Sequence, residues 1–200
     1  MLQKASFCAK GKDDLMDGHA KQKEQSRRMI EDALFELLEE KEYAELTVME
    51  IVKQADVARR TFYRLYGGKE DIIPGYFKRL CNEYQDSNKA LQAYNLQQIA
   101  IDYFSFWYER KERILCLHRA GMDAVLYNEI RNASLEVISR RIGNERLREL
   151  PELVYFADYS TGGFVNLLIR WINGGMQETP EQYARIVSTA IIKFVSDKVM

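Results

Sequence analysis

From Lys21 onward the apolar residues fall three and four positions apart, and no stretch alternates apolar and polar residues between turn signals. That pattern suits amphipathic helices and not a sheet, so the chain reads as all-α. Ile30, Ala33, Leu34, Leu37 and Leu38 form one stripe opposite Glu31, Glu36, Glu39 and Glu40, which predicts a first helix ending near Lys41. Thr47, with Glu50 three residues on, makes a capping box for a short second helix with Val48, Ile51, Val52 and Ala55 on its apolar face. A turn at Asp56-Val57 leads to a third short helix over 58–65, stopped by Gly67-Gly68. A fourth opens at 68 or 69, and Pro74 should kink it or split off its first turn. Further helices are expected over 95–109, 112–120, 123–142, 151–173 and 179–199, with Pro151 and Pro180 at two of the starts. Residues 1–20 lack periodicity and read as a flexible N-terminal tail. The organisation expected is that tail, a small helical module over 21–83 and a larger helical module over 84–200.

Several classes of function find no support. No window is apolar enough to span a membrane, and the N-terminus has no apolar signal core, so a cytoplasmic protein with reduced thiols is expected. Cys8, Cys81 and Cys116 have neither disulfide-framework nor zinc spacing. Cys116 and His118 could form half of a metal site, but two partly buried residues of a helical core is the better reading, and no metal or cofactor is expected. No nucleophile–base spacing and no phosphate-cradling glycine loop points to an enzyme, and no catalytic residue is assigned.

The formal net charge of −1 argues mildly against a nucleic-acid partner, but the charge is unevenly placed. Residues 57–69 hold four basic residues and no acidic one, whereas 21–71 hold ten basic and twelve acidic. Two short helices joined by a tight turn and braced by a longer helix describe a helix-turn-helix over 47–66. Its second short helix would carry Arg59, Arg60, Thr61, Tyr63, Arg64 and Tyr66 toward a groove, with Phe62, Leu65 and Val57 turned to the core. Phosphates need such donors, and guanine edges suit arginine. The alternative on spacing alone is a solvated surface helix with stray arginines.

The segment LTVMEIVKQADVARRTFYRLYGGKEDII, preceded by SRRMIEDALFELLEEKEYAEL, resembles the TetR family of transcriptional regulators. The resemblance implies a three-helix DNA-binding domain over 21–83 and a helical regulatory and dimerisation domain over 84–200. It implies a homodimer on a quasi-palindromic double-stranded operator, acting as a repressor under a small-molecule effector. Carried over by position, Thr47, Tyr63, Tyr66 and Lys69 hold phosphates, and Arg59, Arg60 and Thr61 read base edges, with Arg64 able to do either. The chain departs from the family's pattern at Glu42, Ala58 and Leu65, where a glycine, a small hydroxyl residue and a histidine are common. Lys21, Lys23, Arg27 and Arg28 stand near the start of the first helix as further phosphate contacts.

The second module is rich in aromatic residues, which at helical spacing more often form a core than a ligand box. The family resemblance implies an effector cavity there, with Tyr103, Trp107, His118 and Tyr159 as candidate contacts. YFADYSTGGFVNLLIRWINGGMQETPEQYARIV resembles the subgroup of the dihydroxyacetone-kinase operon activator, which implies control by a protein partner as the alternative. Gly162-Gly163 weakens a helix unless another helix packs closely there, and this helix and the last one form the dimer interface in such proteins.

Overall fold

The computed structural model describes residues 3–87, 95–142 and 152–196, and among them every regular element is a helix. The chain divides into two compact units between Ile73 and Pro74.

The first unit contains α1 (Gln3–Leu38), α2 (Val48–Gln54) and α3 (Arg59–Leu65), with 3-10 turns at Tyr43–Glu45 and Lys69–Asp71. α1 reaches back to Gln3, through the stretch expected to be a tail. Lys4, Ala5, Ala9, Lys10 and Lys12 are good helix formers, and a helix without an apolar stripe leaves no periodic trace. Ile30, Ala33, Leu34 and Phe35 of α1 are buried together with Leu46, Ile51, Val52, Ala55 and Phe62, and α1 packs on both short helices. The turn between α2 and α3 follows a Schellman pattern. The Val57 amide donates to Val52 O at 3.1 Å and the Asp56 amide to Lys53 O at 3.3 Å. Asp56 sits at φ 49°, a left-handed conformation that aspartate tolerates better than a branched residue.

Two residues twenty-six positions apart close this unit reciprocally. The Tyr43 hydroxyl donates to Lys69 O at 3.1 Å. The Lys69 ammonium donates to Tyr43 O at 3.0 Å, Ala44 O at 3.1 Å and Leu46 O at 2.7 Å, and lies 5.0 Å from the centre of the Tyr43 ring. The loop before α2 is thereby tied to the loop after α3, and the helix pair is held at both ends. Burial pushes the Tyr43 hydroxyl up to about 12, helped by Glu70 and Asp71, so it stays protonated and donating.

The second unit is built from α4 (Ile72–Ser87), which starts in the last two residues of the first unit, and from α5 (Leu96–Tyr108), α6 (Lys111–Arg119), α7 (Asp123–Ile142), α8 (Glu152–Asn173) and α9 (Pro180–Ser196). Pro74 is the third residue of α4, where a missing N–H costs no helical hydrogen bond, and the 3-10 turn before it is the split-off first turn. The body of α4 belongs to the second unit, whereas the sequence reading ends the first module near residue 83. Glu83 bridges Arg110 at 3.2 Å, and the Gln85 amide donates to Ala133 O at 3.1 Å. α5 packs on α9, and α7 on α8. The core is aromatic. Tyr108 stacks on Trp171 at 5.5 Å and Trp171 on Tyr183 at 4.8 Å, while Phe104 meets Trp171 and Tyr183 edge-on. Two of its polar tips are satisfied: Trp171 Nε1 donates to Glu178 at 3.1 Å and the Tyr183 hydroxyl to Leu167 O at 2.8 Å.

Lys69→Met should lower the stability of the first unit by roughly 2–3 kcal/mol, because three carbonyls lose a charged donor, and Tyr43→Phe by about 1 kcal/mol. Urea unfolding monitored on the first unit's amide resonances measures both. Unchanged midpoints would refute the structural role of the pair.

Candidate nucleic-acid interface and effector residues

α2 starts where Thr47 caps it. The Thr47 hydroxyl accepts from the Glu50 amide at 3.2 Å and donates to Glu50 Oε2 at 2.7 Å, and the Thr47 amide donates to the same oxygen at 2.9 Å. Glu50 Oε1 takes the Lys41 ammonium at 2.6 Å. The Lys41 hydrogen bond, followed by the two from Thr47, holds this exposed carboxyl at about 2. The capping box read from sequence is therefore present. It also engages both Thr47 donors, so a phosphate contact from Thr47 requires one of them to be shared.

α3 sorts its side chains as an amphipathic turn should. Phe62 is wholly buried, while Arg59, Arg60, Tyr63 and Arg64 are exposed and Thr61 is half-buried. Tyr63 as a residue is 47% exposed. The helix then stops, and this corrects the placement of Tyr66. Helical phase had put Tyr66 on the face of Arg59 and Tyr63, but its backbone is extended (φ −138°, ψ 141°). The ring turns inward, 7% exposed, 5.7 Å from Phe62. Tyr66 is a core residue of this unit, off the exposed face of Arg59 and Tyr63. Lys69 is corrected too: it opens a 3-10 turn rather than a helix, and each of its three N–H bonds points at a main-chain carbonyl. Sequence reasoning missed Tyr43, because no periodicity links two residues so far apart. Leu65 and Val57 are half-buried at the edge of the core.

Of the four candidate effector residues, Tyr103 and Trp107 are brought together. Tyr103 and Trp107 lie one turn apart on α5, both buried, with ring centres 6.3 Å apart. Among the described residues the Tyr103 hydroxyl and the Trp107 indole nitrogen find no hydrogen-bond partner. Trp107 lies near enough to oppose the effect of burial on the hydroxyl, though not in hydrogen-bond geometry. Burial dominates and pushes the Tyr103 hydroxyl far up, so it is a neutral donor. Tyr84 and Phe164 meet the Tyr103 ring edge-on at 5.9 and 5.2 Å. His118, in the last turn of α6, instead directs Nδ1 to Asp123 at 2.9 Å. Tyr159, on α8, is 81% exposed, so it cannot line an interior cavity of this unit. Cys116 is buried, and no group of three or more His, Cys, Asp or Glu side chains among the described residues is arranged to hold a metal ion. Among the described residues no helix is long and apolar enough to cross a membrane.

Comparison with known proteins agrees with this geometry. Residues 30–74 match the family model described as bacterial regulatory proteins, tetR family, and residues 94–193 match one described as transcriptional regulator C-terminal region. A crystal structure of a TetR transcriptional regulator from Streptococcus agalactiae 2603V superposes with a TM-score of 0.55 at 21% identity, covering 88% of this chain and 98% of that one, a likeness of fold. No curated protein matches the chain. One family model falls in each unit, and the chain belongs to the TetR family of transcriptional regulators.

Proposed function

We propose that the chain is a dimeric, sequence-specific repressor that grips a quasi-palindromic operator and is released by a small effector in its second unit. The observation that carries the DNA reading is α3: three arginines and a tyrosine stand exposed on seven residues, with no acidic residue over 57–69 to oppose them. Arginine forks pair bidentately with guanine O6/N7, and each such pair discriminates by about 1–3 kcal/mol. A twofold dimer sets two such helices in successive major grooves. Selection from random double-stranded oligonucleotides should yield a palindromic site. Arg60→Ala should then weaken that site by about 1–3 kcal/mol per half-site while leaving nonspecific binding less affected. Loss of affinity that is uniform over all sequences would assign Arg60 to phosphate instead.

The dimer reading rests on a face with no occupant among the described residues. A Cβ built on Gly162 or Gly163 meets nothing within 4 Å there, so no neighbour among the described residues explains two glycines in mid-helix. Tyr155 and Tyr159 on α8 are 76% and 81% exposed, and Ile186 and Ile192 on α9 are also exposed. The apolar face of α9 is broader than its buried stripe of Tyr183, Ala184 and Val187. On a free helix, Gly163→Ala should raise stability by about 1 kcal/mol. Where a partner helix packs on it, the same change should weaken self-association, read by sedimentation equilibrium. A stabilised, undisturbed dimer would place the interface elsewhere.

The effector reading rests on the buried donors of Tyr103 and Trp107, which have no acceptor among the described residues. Two neutral donors amid aromatic rings suit a neutral ligand that offers an acceptor oxygen. Tyr103→Phe should blunt release of DNA by such a compound and leave the affinity of the free protein for DNA unchanged, measured by fluorescence anisotropy of labelled operator. A second reading, control by a protein partner, is favoured by the resemblance of residues 155–187 to the dihydroxyacetone-kinase operon activator subgroup. It predicts a protein partner that co-purifies with the chain, and release of DNA by small compounds alone would count against it. A cytoplasmic location goes with either reading.

A further inference from the structure

Within α3 the side chains from Tyr66 to Arg59 form a ladder from core to surface. Tyr66 leans on Phe62, Phe62 holds the Tyr63 ring edge-on at 5.3 Å and 82°, and the Arg59 guanidinium carbon lies 5.4 Å from the centre of the Tyr63 ring. Phe62 is wholly buried, so the Tyr63 ring is fixed from below although almost half of the residue faces solvent. Arg59 and Tyr63 are four residues apart, the spacing at which helix side chains meet. Among the described residues Arg60 and Arg64 rest on no aromatic ring. The three exposed arginines of α3 are therefore not equivalent. Arg59 is seated on a platform, and the other two carry the full side-chain freedom that binding must remove.

We infer that Tyr63 is a positioning residue for base reading, acting through Arg59. This rests on the DNA-binding reading of α3. A guanidinium held against a ring keeps its fork in one plane, and bidentate pairing with guanine O6/N7 needs that fork oriented. Tyr63 then makes two separable contributions. Its hydroxyl can bond a phosphate, which strengthens binding to every sequence alike. Its ring sharpens the preference at the single base pair that Arg59 reads. A cation–π contact at an exposed site corresponds to a factor of about two to five, and that is the size of the preference at stake.

The test uses the full-length protein, its site selected from random oligonucleotides, and duplexes carrying each single base-pair change in that site. Arg59→Ala should flatten discrimination at one base pair per half-site and so identify it. Tyr63→Phe should weaken all duplexes by one common factor and preserve their ranking. Tyr63→Leu should also reduce discrimination at the Arg59 base pair by about two- to fivefold, leaving the other positions as in Tyr63→Phe. Tyr63→Trp, which enlarges the platform, should keep or increase it, and this variant serves if the leucine variant fails to fold. In the double variant Arg59→Ala/Tyr63→Leu, discrimination at that base pair should be no lower than in Arg59→Ala alone. Full discrimination in Tyr63→Leu, reduced discrimination in Tyr63→Trp, or an Arg59→Ala protein that discriminates like the parent would each overturn the assignment. Failure of the parent protein to enrich any sequence would instead defeat the DNA-binding reading of α3 itself.

Discussion

A helix of seven residues closes too few hydrogen bonds to persist in water, so α3 owes its shape to the burial of Phe62. α2 is equally short, and Ile51 and Val52 do the same for it. Both helices exist because α1 offers them Ile30, Ala33 and Leu34, and because the turn between them closes its own carbonyls. Everything the exposed face of α3 can do depends on this small core holding it against solvent.

The polar groups of the first unit divide into those that complete the structure and those left for a partner. Thr47, Glu50, Lys41, Tyr43 and Lys69 saturate one another or nearby carbonyls. Arg59, Arg60 and Arg64 stay exposed. The division follows geometry rather than residue type. The Lys69 ammonium faces a loop whose carbonyls have no helical partner, and its three hydrogens match three of them. The arginines of α3 project from a helix whose own carbonyls are already engaged, and among the described residues no carbonyl or carboxylate takes their hydrogens.

How far the sequence was legible depends on the range of each interaction. The capping box at Thr47, the extent of α2 and α3 to within a residue, and the burial of Phe62 rest on contacts within a few positions, and spacing reveals those. Tyr66 was misplaced because helical phase was carried one residue past the end of the helix, where the backbone turns extended. The bonds of Lys69 within the fold were not legible because its acceptors come from a loop that sequence order does not bring near it. Tyr159 and His118 joined Tyr103 and Trp107 as candidates on residue type alone. α8 sends Tyr159 outward, and the end of α6 ties His118 to Asp123. The helical stretch before Lys21 left no trace in the periodicity, since it has no apolar stripe to mark it.

The two tryptophans of the chain both lie in the second unit, on α5 and α8, and both are buried. Trp171 is stacked between Tyr108 and Tyr183 with its nitrogen on a carboxylate, whereas Trp107 has edge-on neighbours and a nitrogen with no partner among the described residues. Emission excited where only tryptophan absorbs is thus a report on the second unit alone, from two indoles in unlike polar surroundings. Melting of the DNA-reading helices leaves that emission dark to the event, and a spectral change in the native protein is a signal from the aromatic core of the regulatory unit.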